Sequence, residues 1–202
     1  MNETPYWAHS SALVESDDIG AGTRIWAFAH VMSGVHIGAR CNIGDHVFLE
    51  SGVRIGNGVT IKNSVLLWNG VEVGDYVFLG PNAVFTNDRF PRSPRLPLVA
   101  ERYARPENWL VPTHVAEGAS VGAHATILCG LTLGAYCCVA AGSVVTKDVR
   151  PFTWVAGNPA RPKGYVNRHG RILRETADGY WQDPQTGWRY RWVNDSLEEI
   201  QT

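Results

Sequence analysis

Apolar residues recur along this chain at every sixth position. From Trp7 the beat falls on Leu13, Ile19, Ile25, Val31, Ile37, Ile43, Leu49, Ile55, Ile61, Leu67, Val73, Leu79 and Phe85 without a slip, and it returns at Val115, Val121, Ile127, Leu133, Val139 and Val145. Neither an α-helix nor an alternating strand makes a period of six, whereas a solenoid whose flat faces each use six residues does. With the beat residue as position one, position five is small or aliphatic as well (Val35, Val47, Val53, Val59, Val65, Val71, Val77, Ala83, Ala119, Ala125), so positions one and five point inward. Glycine clusters at positions two and four, which puts residues tolerant of positive φ near the corners between short strands. Three hexads make a triangular coil of about 18 residues; Leu13 to Phe85 supplies roughly four coils and Val115 to Arg150 about two more, a prism about 29 Å tall.

Two stretches break the beat. Residues 86–110 carry Asn87-Asp88-Arg89-Phe90-Pro91-Arg92-Ser93-Pro94-Arg95, too rich in proline and arginine to continue a wall, so they form an external loop. Trp109 fits the frame again, which predicts that roughly one coil's worth of residues is looped out. The second break follows Val145 and includes Gly157-Asn158-Pro159-Ala160-Arg161-Pro162-Lys163. Beyond it, Tyr180-Trp181-Gln182 and Trp188-Arg189-Tyr190-Arg191-Trp192 alternate around Asp183-Pro184-Gln185-Thr186-Gly187, the pattern of a β-hairpin. The division is a repeat domain over 1–150 with the loop at 86–110, a closing segment over 151–170 and a hairpin appendage over 171–202.

The Ile-Gly-x-x-x-x hexads, as at Ile19-Gly20, Ile43-Gly44 and Ile55-Gly56, resemble the hexapeptide-repeat acyltransferases. The resemblance spans about Trp7 to Gly170 and implies an all-β fold, a left-handed parallel β-helix; the left hand comes from the resemblance, since parallel crossovers are normally right-handed. Three runs narrow it: Arg24-Ile25-Trp26-Ala27-Phe28-Ala29-His30-Val31, Val84 to Ser93, and Glu117 to Ile127 look like the bacterial nucleotide-sugar N-acyltransferases. Phe-Thr-Asn-Asp-Arg-Phe-Pro-Arg-Ser, from Phe85 to Ser93, is similar to the branch that acetylates the 3-amino group of dTDP-3-amino-3,6-dideoxyhexoses. That implies acetyl-CoA as co-substrate and a homotrimer with sites between adjacent prisms. It also implies that Ala141 and Gly142 pass close to the pantetheine arm, that Gly157, Pro159 and Ala160 belong to the coenzyme A segment, and that Arg161, Lys163 and Arg168 meet phosphates.

Register suggests where the chemistry sits. Residues 18 apart share a column, so Ser33, Ser51, Asn69 and Asn87 form an outward polar ladder that ends where the loop begins. With one coil looped out, Val121 stacks on Phe85 and His124 lies above Asp88, which would bring a histidine, a carboxylate and an asparagine together. A sugar amine titrates near the α-amino range of about 7.7 to 8.0, so a neutral fraction exists without a strong base. Asn87 or Asp88 would then orient the amine while His124 accepts the proton. His114 is the other candidate base, because histidine has that role in many of the similar enzymes. Arg24, Trp26, His30, Glu50, Asn69 and Arg89 are candidate substrate contacts, while His9, His36, His46 and His169 read as exposed side chains.

Composition excludes more than it assigns. A net charge of −1 in 202 residues gives no bulk attraction to nucleic acid or anionic membrane, and neither a signal peptide nor a membrane-length apolar run is seen, so the expected location is cytoplasmic. Of the four cysteines, Cys41 and Cys137 fall at inward positions and Cys129 and Cys138 at outward ones, with no Cys-x-x-Cys and no expected metal or disulfide. The rival readings are an O-acetyltransferase on a small hydroxyl acceptor, which would need His114 or His124 as a true base, and a UDP-linked amino-sugar acetyltransferase. A zinc carbonic anhydrase using His36, His114 and His124 and a non-catalytic scaffold complete the alternatives.

Overall fold

In a computed structural model, which describes residues 5–194 and 196–200, the hexads wind into a parallel solenoid with three flat faces. The first face stacks eight parallel strands: Trp7–Ala8, Arg24–Ile25, Asn42–Ile43, Thr60–Ile61, Phe78–Leu79, Ser120–Val121, Cys138–Val139 and Thr153–Ala156. The second runs from Leu13–Val14 through Val84–Phe85 and Thr126–Ile127 to Val144–Val145, and the third from His36–Ile37 through Val71–Val73 and Thr113–Val115 to Thr132–Leu133. Eight levels at about 4.8 Å make the stack about 38 Å tall, two levels more than the six expected. The additions are the first partial coil at Trp7 and the closing strand at Thr153.

The buried core is made of the beat residues and their position-five neighbours; Ile25, Ile37, Ile43, Leu49, Ile61, Leu67, Leu79, Val121, Ile127 and Leu133 are all fully buried. Each such aliphatic side chain removed from water contributes about 1.5–3 kcal/mol before the entropy of ordering it. The beat does slip once. Trp7 pairs with Arg24 and Ala8 with Ile25, Leu13 with His30 and Val14 with Val31, so Ala8 and Val14 occupy the inward positions while Trp7 and Leu13 stay 46% and 54% exposed. Both frames offer an apolar residue there, so counting alone could not choose between them.

Position four of the hexad is left-handed in the wall from Gly22 to Asn82 and again from Gly118 to Gly142, with glycine at Gly22, Gly34, Gly58 and Gly118 and side-chain-bearing residues at Phe28, Arg40, His46, Ser64, Tyr76, Asn82, His124 and Tyr136. Glycine at position two has a different cause. A Cβ on Gly80 would lie 2.7 Å from the backbone nitrogen of Ala123 in the next coil, so this glycine exists for close approach between coils rather than for φ.

Across the insertion the register is Val73 with Val115, Leu79 with Val121 and Phe85 with Ile127, a step of 42 against the step of 18 seen between Ser120 and Cys138. The wall therefore resumes intact after giving up 24 residues, more than one coil's worth. Trp109, although in frame, closes a short 3-10 turn at Pro106–Asn108 outside the wall. Beyond the solenoid Thr153–Ala156 pairs antiparallel with Arg161–Tyr165, and a four-stranded antiparallel meander follows: Arg174–Glu175, Trp181–Gln182, Arg189–Val193 and Ser196–Ile200. The expected hairpin is its middle pair. The meander packs on the edge between the third and first faces, where Phe152 stacks on Tyr136 at 5.3 Å and joins Leu173, Tyr190 and Leu197. Among the described residues no helix is long and apolar enough to cross a membrane.

Candidate active site

The polar ladder stands where register put it, along the edge between the second and third faces. Glu50 accepts the Asn69 N–H at 2.8 Å, and the Asn87 side-chain amide donates to the Asn69 carbonyl at 3.2 Å. Trp68 lies 5.5 Å from Phe48, which stands edge-on to His30 at 5.4 Å, and His30 is tied to Glu15 at 3.0 Å. The His30 and Ser33 hydrogen bonds hold the Glu15 carboxyl below its ordinary value.

The insertion leaves this edge through a closed neck. Asp88 bridges to Leu110, and the Val111 N–H donates to the Asn87 carbonyl at 2.9 Å. Two glycines make room for it: a Cβ on Gly70 would press on Leu110 at 2.8 Å, and one on Gly130 would press on the Arg89 guanidinium at 2.6 Å. Asp88 is the knot of the neck. It accepts the Tyr103 hydroxyl at 2.6 Å, the Phe90 N–H at 2.9 Å and the Arg102 guanidinium. Burial alone would raise its pKa, but the hydrogen bonds from Tyr103, Phe90 and Arg102 together lower it below the usual carboxylate value.

The expected union of Asn87, Asp88 and His124 does not form. The step of 42 sets His124 over Asn82, where its N–H donates to the Pro81 carbonyl at 3.0 Å, on the edge between the first and second faces. Its neighbour one coil up is Gly142, whose N–H donates to the Ala123 carbonyl at 2.8 Å. His124 thus belongs with the residues assigned to pantetheine, across the second face from Asn87. His114 sits on the third face two residues past Pro112, and its Nδ1 is 3.2 Å from the Glu72 carboxylate. Together with His36, Arg54 and Asp75 these two line a shallow trough of about 480 Å³. His36 is tied to Asp18 at 2.8 Å, so His36, His114 and His124 do not converge within the chain.

Other candidates are spread along the axis. Arg24 and Trp26 lie three coils below Asn87 on the first face and its edge, with the Trp26 indole donating to Asn42 at 2.9 Å and standing edge-on to Trp7 at 5.3 Å. Cys129, expected outside, is buried at the insertion neck, its N–H donating to the Thr86 hydroxyl at 2.9 Å. Burial pushes the Cys137 thiol up to about 12.

At the far end, Gly142 has φ +68 and open space where a Cβ would be, so a ligand can approach the backbone there. The Gly157 N–H donates to the buried Ser143 hydroxyl at 3.2 Å, and the Ala160 N–H to the Val144 carbonyl at 2.8 Å, which fixes the closing segment on the last coil. Ala160 and Arg161 line a cavity of about 390 Å³ with Lys147, Asp148 and Arg150. Arg168 is elsewhere, its guanidinium 5.3 Å over the Tyr136 ring. Lys147, Arg150, Arg102 and Tyr103 escaped the sequence reading; the Lys147 to Arg150 pairing of cations at a broken beat was the available signal.

Residues 18–51 and 52–87 match the bacterial transferase hexapeptide (six repeats) family, and residues 112–147 match the hexapeptide repeat of succinyl-transferase. The chain is 49% identical over 160 residues to the dTDP-3-amino-3,6-dideoxy-alpha-D-galactopyranose 3-N-acetyltransferase of Aneurinibacillus thermoaerophilus, covering 79% of this chain and 78% of that one. Among solved structures it is similar to a hexapeptide-repeat acetyltransferase from Vibrio cholerae O1 biovar eltor complexed with acetyl coenzyme A, at TM-score 0.54 and 27% identity over 66% of this chain and 72% of that one. A hexapeptide transferase family protein from Anaplasma phagocytophilum shares the fold at TM-score 0.54 and 17% identity, covering 84% and 89%.

Proposed function

The chain belongs to the bacterial hexapeptide-repeat transferases, and on that premise we propose that it is an acetyl-CoA-dependent N-acetyltransferase acting on the 3-amino group of a dTDP-linked 3-amino-3,6-dideoxyhexose. The 49% identity to an enzyme of that name over 79% of the chain carries the reading. Asn87, held at the base of the insertion, orients the neutral amine, and Asp88 keeps the insertion closed around it. The amine nitrogen forms the new C–N bond, the C–S bond breaks, and the ammonium proton leaves to the departing sulfur or to solvent. No histidine–aspartate dyad is needed, because an amine of ordinary basicity is partly neutral at pH 7.

The working unit is a homotrimer. The second face presents Leu13, Phe48, Leu66 and Val84 outward, and three of these are among the exposed large hydrophobics. Packing along that face brings the Asn87 edge of one protomer toward the His124 and Gly142 edge of the next, which reunites the acceptor and donor sides of the site.

The test is thiol release from acetyl-CoA against a panel of dTDP- and UDP-linked 3-amino and 4-amino sugars. Turnover on one dTDP-3-amino sugar, reduced at least ten-fold in kcat by Asn87→Ala and retained in His124→Asn, is the expected result. A second reading rests on the His114–Glu72 pair at 3.2 Å, which is a histidine–carboxylate base of the kind a hydroxyl acceptor requires. Turnover confined to hydroxyl acceptors and abolished by His114→Asn would replace the amine reading with that one.

A further inference from the structure

The edge between the second and third faces repeats one contact. At three of its corners the N–H of hexad position three is taken by a side-chain oxygen from position two of the coil below, not by a carbonyl of the ladder. Glu15 accepts the Ser33 N–H at 3.3 Å, Glu50 that of Asn69 at 2.8 Å, and the Thr86 hydroxyl that of Cys129 at 2.9 Å. Each of these contacts ties a corner peptide to the coil beneath it.

The Glu50 contact differs in what stands above it. Strand register puts Asn87 one coil over Asn69, and the Asn87 side-chain amide donates to the Asn69 carbonyl at 3.2 Å. A carbonyl can receive only the NH₂ end of an amide, so the Oδ1 end is the one left free. Among the described residues Oδ1 accepts no hydrogen bond, and the only buried side-chain oxygen or nitrogen without a partner is that of Thr113, so Oδ1 is open to solvent. The backbone of Asn87 is fixed separately, by the Val111 N–H on its carbonyl at 2.9 Å. Glu50 takes part in no ion pair among the described residues. Its contact to the Asn69 peptide is what links it to this amide.

A neutral amine carries two N–H groups and one lone pair. A group that accepts one N–H leaves the lone pair free to attack the thioester carbonyl, whereas a donor at the same place would occupy it. As the C–N bond forms, the nitrogen gains positive charge and its N–H donates more strongly, so a fixed carbonyl oxygen holds the transition state better than the bound amine. We infer that Glu50 is a positioning residue for this reaction, holding the Asn69 peptide so that the Asn87 amide keeps Nδ2 toward the wall and Oδ1 toward the sugar amine. The inference rests on the function proposed above, and it gives Glu50 a part other than the direct substrate contact expected of it.

The experiment compares wild type with Glu50→Met, which keeps the length of the side chain without an accepting oxygen, Glu50→Gln, which keeps the oxygen without the charge, Asn87→Ala, and the double variant Glu50→Met with Asn87→Ala. With the amino sugar that the panel identifies, kcat is expected to fall about five-fold or more in Glu50→Met at unchanged KM for acetyl-CoA, to recover in Glu50→Gln, and to be no lower in the double variant than in Asn87→Ala. A loss in Glu50→Gln equal to that in Glu50→Met, or losses that add in the double variant, would mean that Glu50 meets the substrate itself and would overturn the inference. Nitrogen–proton correlation spectra read the Asn87 side-chain amide, identified by its disappearance in Asn87→Ala, without any acyl transfer. Asn87 signals displaced in Glu50→Met and restored in Glu50→Gln support the link even if no amino sugar is turned over, whereas signals unmoved in Glu50→Met refute it even if Asn87→Ala is inactive.

Discussion

Thr113 offers a sharp test of how this core is held. It occupies an inward position five, paired with Val71 in the coil below, and its hydroxyl oxygen is buried with no hydrogen-bond partner. Thr23, another buried threonine at an inward position five, is its control, because that hydroxyl donates to the Gly38 carbonyl at 2.8 Å and accepts the Cys41 N–H at 2.9 Å. Valine reproduces the shape of threonine, so Thr113→Val removes an orphaned hydroxyl and adds a methyl without changing volume. An unsatisfied buried polar group costs about 1–3 kcal/mol, and the methyl contributes up to about 0.8 kcal/mol more. Taking the lower half of that range, the expectation is a gain of about 1–2 kcal/mol, or a rise of about 2–8 °C in unfolding midpoint for a chain of this size. Thr23→Val should lower stability by about 1–3 kcal/mol, since the Gly38 carbonyl and Cys41 N–H would lose their partner. The assay is thermal unfolding by circular dichroism at one fixed protein concentration, because the assembly proposed above would make the midpoint concentration-dependent. A Thr113→Val midpoint at or below wild type would mean that the hydroxyl is satisfied, and the accounting would be wrong.

Two further outcomes follow from the coil geometry and the insertion neck. Gly80→Ala forces a Cβ against the backbone of the next coil and should cost about 3 kcal/mol or more, whereas Gly34→Ala, at φ +76 with open space around it, should cost only about 1–2 kcal/mol; urea titration of both separates close approach from backbone handedness. Asp88→Asn should loosen residues 86–112, seen as faster tryptic cleavage at Arg92 and Arg95, while the wall's unfolding midpoint moves much less. Because the folded carboxyl lies below its unfolded value, its contribution is complete above about pH 4–5 and is lost as pH falls through the lowered folded value; amide exchange in the insertion that already rises on going from pH 7 to about pH 5, beyond the intrinsic rate, would contradict this.

The repeat was readable because each face buries two of its six positions, and that demand prints itself on the chain from Ile25 to Val145. What failed to print were one slip of the beat and the length of the insertion. The slip beside Val14 is invisible because Trp7-Ala8 and Leu13-Val14 are apolar in both frames. The size of the insertion is hidden because Trp109 happens to fall on the beat, and that misplaced His124 by six residues. Asn87 and the ladder beneath it were legible, since columns need only arithmetic. The role of Asp88 was not, because its partners Arg102 and Tyr103 lie 14 and 15 residues away in a segment with no period.

The wall re-forms in register on both sides of residues 86–112, which gives the insertion the status of a cartridge. Its two ends are fixed by Asp88, Leu110 and the glycines at 70 and 130, whatever the residues between them do. Closing a flexible loop twice as long costs only about 0.6 kcal/mol more, little against a core of this depth. On the function proposed above, the acceptor contacts that the insertion supplies can change by exchange of the cartridge, with the prism left as it is.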